Sequence, residues 1–186
     1  TCSSDGGCKP GDAGTTPDMA KDVNDPSGPG PYLVASLTAP TPPSGISGLM
    51  LLGPSDDGSA LSKKEATYPL VMIAPPEYTN SSAMRAYGDR LASHGFLVAL
   101  YDVANQSNHV AYRDAAKGLL DAFVSNASTQ HIDTQRLGLV GYQLSGKISA
   151  SLAANDNRIG ALFLVDPVDV ATASGPIDGI SEIARV

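Results

Sequence analysis

Four short runs of apolar residues constrain this chain more than any other feature. They are Pro69–Ala74 (PLVMIA), Phe96–Tyr101 (FLVALY), Arg136–Gly141 (RLGLVG) and Gly160–Val165 (GALFLV). Each is nearly continuous rather than alternating, the pattern of a strand buried on both faces. Between them the spacing is helical. Asn80 or Ser81 can cap a helix over 81–93 that carries Met84, Tyr87 and Leu91 on one face and stops at Gly95. A second helix is expected over 108–125, with a stripe of Ala115, Leu119, Ala122 and Phe123. A third, over 143–154, is marked by Leu144, Ile148 and Leu152. Two further strands, Tyr32–Ala39 and Gly48–Leu52, precede this series and are separated by the turn TPPSGIS, and residues 54–68 are polar and form a loop. Two strands followed by strand–helix alternation predict the α/β class, a mostly parallel sheet with helices on both faces. Leu137–Gly141 is expected near the middle of that sheet.

Residues 1–31 follow a different rule. They hold six Gly, five Pro and five Asp, with Met19 and Val23 as the only sizeable apolar side chains. Such a segment cannot bury enough surface to offset its ordering entropy, so a mobile tether is expected, followed by one domain over 32–186. Cys2 and Cys8 both lie in the tether. They can close a small disulfide loop, but two thiols with no nearby histidine fall short of a four-ligand metal site, and none is expected. A cysteine at the start of a Ser/Gly/Asp-rich stretch resembles the lipidated N-terminus of a bacterial lipoprotein; an ordinary disordered leader is the alternative. The first reading places the protein outside the cell or on its envelope, with Cys2 as the modified thiol. A net charge of −7 argues against nucleic acid or an anionic membrane surface as a partner.

Chemistry concentrates in Arg136–Ile148, RLGLVGYQLSGKI. Strand, sharp turn and helix follow one another, with small residues where the turn is tightest. This is the context of the G-x-S-x-G nucleophile elbow, whose small flanking residues allow a strained turn that exposes a serine at a helix N-terminus. Gly141, Ser145 and Gly146 shape the turn, Gln143 occupies the nucleophile position, and Ser145 stands where the motif has its second glycine. A plain strand-to-helix turn of any doubly wound sheet is the alternative at this point.

Four stretches resolve that alternative: GPGPYLVAS (Gly28–Ser36), PPEYT (Pro75–Thr79), RLASHGFLVALYD (Arg90–Asp102) and HIDTQRLGLVGYQLSGKIS (His131–Ser149). Together they make Tyr32–Asp169 resemble secreted α/β-hydrolases of the polyester (PET) hydrolase, cutinase-like and chlorophyllase-like group, related to dienelactone hydrolases. The resemblance implies the α/β-hydrolase fold, acyl transfer from hydrophobic esters or polyesters to a serine, and no cofactor. It places the oxyanion hole on the backbone N–H groups of Tyr78 and Leu144, donors that stabilise a tetrahedral intermediate. The Tyr78 side chain would add an apolar wall to such a site, or else lie free on the surface. Glu77 departs from the family's glycine and puts a carboxylate beside the place where an oxyanion would form.

The implied triad is absent. A primary amide is neither a nucleophile nor a base at neutral pH, so Gln143 cannot do the work of serine. In this fold the acid and histidine follow the nucleophile, yet His94, His109 and His131 all precede it. His94 fits a helix C-cap; His109 opens a helix and His131 a loop, both expected in solvent. Asp166 and Asp169 end a strand, a place that suggests acid–base work, but they are expected to cap a loop. Ser145, a turn into the helix, and Ser47 and Ser181, which follow no buried strand, are poor substitutes. The sequons at Asn80, Asn105 and Asn126 matter only in a eukaryotic secretory pathway. Only 20 residues follow Asp166, too few for the remaining strands, so the C-terminal strands are expected to be missing and Gly160–Val165 to be an open edge prone to self-association. The expectation is a degenerate or truncated ester hydrolase; the alternative is a non-catalytic, envelope-associated module that binds a hydrophobic ester in the remnant pocket.

Overall fold

A computed structural model describes residues 28–168 of the chain. The expectations for residues 1–27, including Cys2 and Cys8, and those for Asp169 and Ser181 lie outside the described residues. Six strands form one sheet: β1 (Leu33–Leu37), β2 (Ile46–Ser55), β3 (Tyr68–Ala74), β4 (Leu97–Val103), β5 (Ile132–Tyr142) and β6 (Ile159–Val165). Their order is β1-β2-β4-β3-β5-β6. β1 and β2 run antiparallel to each other, and β2 to β4, whereas β4, β3, β5 and β6 are mutually parallel. Leu137–Gly141 lies within β5, between β3 and β6 rather than at an edge. The helices are α1 (Arg85–Ser93), α2 (His109–Ser125), α3 (Ala127–Gln130) and α4 (Leu144–Asn155). This is the mostly parallel α/β-hydrolase arrangement.

The apolar runs are continuous because the sheet separates two cores. In β4, Leu97, Ala99 and Tyr101 join a cluster with Leu119 and Phe123 of α2 and Ile148 and Leu152 of α4. Val98 and Leu100 turn the other way, towards Met84 and Ala92 beside and within α1. Leu97, Val98, Ala99 and Leu100 are all 0% exposed, so the first four positions of the strand leave no room for a polar side chain. Full burial of each leucine contributes about 1.5–3 kcal/mol.

Three local features differ from the sequence expectation. The helix expected over 81–93 begins as a 3₁₀ turn, Ser81–Met84, because Asp102 at the end of β4 takes both the Ser81 N–H (2.6 Å) and the Ser81 hydroxyl (2.8 Å). His109 does not face solvent: it is 1% exposed and sits on the packed side of α2. The single turn α3 has no apolar stripe to announce it. His131, just after it, is exposed in a left-handed conformation (φ 56°) with Nδ1 3.2 Å from the Ala66 carbonyl.

The packed body starts slightly before residue 32. Gly30 N–H donates to Ser93 Oγ (2.9 Å), Tyr32 N–H donates to Ser93 O (3.1 Å), and His94 Nε2 lies 3.0 Å from Gly28 O. A Cβ on Gly30 would stand 2.0 Å from Ser93 O, so only glycine allows this approach. On the α1 side, an apolar groove of about 520 Å³ runs along β3, β5 and β6, lined by Val71, Ile73, Tyr87, Leu91, Val140 and Phe163. Among the described residues β6 pairs only with β5, and Phe163 is 64% exposed.

The turn from α4 into β6 is closed by charge. Arg158 Nε donates to Asp156 (2.8 Å), its Nη2 to both Asp156 and Asp121, and its backbone N–H to Asp156 Oδ1 (3.2 Å). The Arg158 hydrogen bond, working against partial burial, holds the Asp156 carboxyl below its ordinary value. A carboxyl depressed in the folded state adds stability above its unfolded value of about 3.9 and loses it as pH falls through the lower folded value. Asp57, held near 2 chiefly by hydrogen bonds from Ser59, carries the same acid loss down to about pH 2. Asp156→Asn is therefore expected to cost about 1–2 kcal/mol at pH 7 and to flatten the decline in melting temperature below pH 4, followed by circular dichroism.

Candidate active site

The end of β5 sets the site. β3 and β5 stay in register up to Ala74 opposite Gly141, so the loop after β3 and the turn after β5 emerge side by side at the carboxyl end of the sheet. These loops carry Tyr78 on one side and Gln143 with Leu144 on the other. Gly141 is compulsory at this point. A Cβ there would meet Ser145 O at 2.4 Å and Gly146 Cα at 2.6 Å.

Gln143 takes φ 54° and ψ −118°, a backbone state that L residues rarely adopt and that costs on the order of 1–3 kcal/mol. Surrounding bonds hold it there. Its N–H donates to Val165 O (2.9 Å), and its carbonyl accepts from Gly146 N (2.9 Å), Val168 N (3.3 Å) and Lys147 N (3.4 Å). The strand is thus turned sharply into α4, and Gln143 stands at the apex as its N-cap. Leu144, whose side chain is 2% exposed, supplies the first N–H of α4, one of the donors a helix leaves without an internal partner. The helix dipole adds partial positive charge at the same place. Gly146 packs near Pro167, where an added Cβ would lie 3.1 Å from Pro167 Cβ.

Ser145 is used for architecture. It is 1% exposed, accepts from Tyr142 N (2.8 Å), and its hydroxyl lies 2.9 Å from Tyr142 O and 3.1 Å from Ala74 O. Its oxygen therefore stitches the end of β5 to the end of β3. The Tyr112 hydroxyl reaches the same atom from α2, and burial pushes that phenol well above its usual range.

Tyr78 adopts φ 61°, and its side chain is 89% exposed, projecting into solvent. A hydrogen bond with Glu77, together with the charge of Glu77, pushes its phenol pKa up. The Tyr78 N–H donates to Gln106 Oε1 at 3.1 Å. Nothing in the sequence announced Gln106: it sits in a polar loop between β4 and α2, 28 residues away, without a motif. Asp102, which fixes Ser81 and with it the return of the same loop, was equally silent.

The histidines do not converge on this turn. His94 caps α1 and His131 precedes β5, both at the amino end of the parallel strands, away from Gln143. His109 follows β4 at the carboxyl end but is buried in α2. Among the described residues no group of three or more His, Cys, Asp or Glu could hold a metal ion, and no helix is long and apolar enough to cross a membrane.

Comparison with known proteins accounts for this architecture. Cutinase 2 of Thermobifida cellulosilytica is 30% identical over 110 residues, covering 56% of this chain and 42% of that protein. Cutinase cut1 of Thermobifida fusca is 30% identical over 110 residues, 34% of its length. The chain spans well under half the length of the curated relatives it matches. The family model described as PET hydrolase-like matches residues 15–175, nearly the whole chain and all of the sheet and turn described above. With its α/β-hydrolase sheet and its strained turn after β5, this chain belongs to the PET hydrolase-like family.

Proposed function

We propose that this chain is an ester-binding member of its family that does not transfer acyl groups at its elbow. One observation carries the proposal: the residue at the strained apex, φ 54° and ψ −118°, is a glutamine. Its carboxamide nitrogen is delocalised into the carbonyl and has no proton-transfer partner that would make it attack an ester. The nearest serine in sequence, Ser145, is buried and its hydroxyl is already committed to Tyr142 and Ala74. The donors that would face an ester carbonyl are the Leu144 N–H, backed by the dipole of α4, and the Tyr78 N–H. Such a site holds and polarises a carbonyl without breaking the bond to its leaving group. The ligand class proposed is a hydrophobic ester or polyester-like chain, in keeping with the cutinases to which the chain is similar. An extracellular or envelope-bound location is part of the same proposal.

The test uses the full 186-residue chain. Incubated with p-nitrophenyl butyrate it is expected to release p-nitrophenol no faster than buffer, and a fluorophosphonate probe should leave it unlabelled. Titration with ethyl butyrate should shift the Leu144 amide signal in a ¹H–¹⁵N spectrum. Turnover that survives purification and is blocked by the fluorophosphonate would overturn the proposal.

A further inference from the structure

We infer that Gln106 is an internal competitor of the ligand, its side-chain carbonyl standing on the donor that an ester carbonyl would need. The inference rests on the ester-binding reading of the site given above. Its own observation is the contact itself: Gln106 Oε1 accepts from Tyr78 N–H at 3.1 Å, between residues 28 positions apart. Elsewhere the loop after β3 offers few backbone donors. Pro75 and Pro76 have none, and Thr79 N–H is directed at Pro76 O (3.3 Å), as is the Thr79 hydroxyl (2.9 Å). The left-handed conformation of Tyr78 sets the direction of its N–H, and the Gln106 side chain meets it from the β4–α2 loop.

A carboxamide oxygen and an ester carbonyl oxygen are chemically alike: neutral, sp², with two lone pairs. One N–H serves one good acceptor at a time. An ester carbonyl therefore reaches Tyr78 only by displacing Gln106, and the exchange returns little net energy because one neutral hydrogen bond replaces another. Glu77, hydrogen-bonded to the Tyr78 hydroxyl, adds a negative charge that disfavours anionic ligands on the same donor. A neutral carbonyl is thus the ligand this arrangement admits, and Gln106 sets how tightly it is held.

The experiment compares the full chain with Gln106→Ala and Gln106→Glu by amide NMR, titrating ethyl butyrate and, separately, butyl ethyl ether, which lacks the carbonyl. Gln106→Ala should move the Tyr78 amide proton upfield before any ligand is added. It should then tighten ethyl butyrate binding about 2- to 10-fold, the range that the net worth of one neutral hydrogen bond converts to. Gln106→Glu, a stronger acceptor carrying charge, should weaken it. Ether binding should be the same in all three proteins. If Gln106→Ala binds the ester equally or more weakly, Gln106 holds the loop rather than competing, and the inference fails while the ester-binding reading stands. If no form binds ethyl butyrate, both fail together.

Discussion

Replacing Gln143 by serine is expected to leave the chain without measurable ester turnover. The substitution restores a hydroxyl at the apex of a turn that already has the required strain, beside a helix N-terminus. It restores nothing else. In serine hydrolases, loss of either the serine or the histidine costs about 10⁶ in turnover, and the remaining donors leave roughly 10³–10⁴ over the uncatalysed rate. The sequence has three histidines, and all of them precede the turn, whereas this fold draws its base from beyond the nucleophile. His131 precedes β5 and lies at its opposite end, roughly 20 Å away, since Ile132 and Gly141 pair with Tyr68 and Ala74 of β3, six extended rises apart. His94 is held at the end of α1 near Gly28, and His109 is buried. A serine at position 143 would therefore keep its proton at neutral pH. The measurement is initial-rate hydrolysis of p-nitrophenyl butyrate by the Gln143→Ser protein at pH 7–9. A rate more than tenfold above the parent chain would show that a base reaches this turn.

Gly141→Ala is expected to be the most damaging single methyl that can be added to the site. Its Cβ would fall 2.4 Å from Ser145 O and 2.6–2.7 Å from Gly146 Cα and N, all backbone atoms of the turn. Backbone cannot rotate away as a side chain can, so the turn must open and strain its bonds to Val165 and Val168. The cost should be about 3 kcal/mol or somewhat more, at the upper end for overpacking. Gly146→Ala is the control. There the nearest neighbours are Pro167 Cβ at 3.1 Å and Gly141 O at 3.3 Å, so a shift of a few tenths of an ångström suffices. Urea denaturation of the two variants should separate them by at least about 2 kcal/mol. Equal midpoints would mean that the turn is softer than its bonding implies.

The runs Pro69–Ala74 and Phe96–Tyr101 announced the sheet because their residues pack into one or other of two cores. Gly160–Val165, expected to be buried on both faces, is instead half exposed: Phe163 is 64% exposed and, among the described residues, β6 pairs only with β5. The helices followed from stripes such as Leu144, Ile148 and Leu152, all of them buried. The elbow was legible because its small residues are demanded by sterics at fixed spacing, and a family resemblance then gave Tyr78 and Leu144 their positions. What stayed hidden depended on the third dimension. Gln106 meets Tyr78 only because β3 and β4 are neighbours in the sheet. His109 was expected in solvent because polarity predicts exposure, yet its place on the inner side of α2 overrides that preference. The 3₁₀ start of the helix at Ser81 depends on Asp102, a residue from another strand.

The strand order carries a kinetic consequence. β3 lies between β4 and β5, with Leu70 opposite Leu97 on one side and Leu137 on the other. The innermost strand of the sheet is therefore completed by a segment made long after it. Closing loops of that length precedes any reward from pairing, which makes such topologies slow to fold compared with helical proteins of equal stability. While β3 waits for β5, the run PLVMIA has one flank open, at the stage when a growing chain is most exposed to its neighbours. The elbow, which depends on the end of β5 being docked against β3, can take its strained form only after that last central pairing is made.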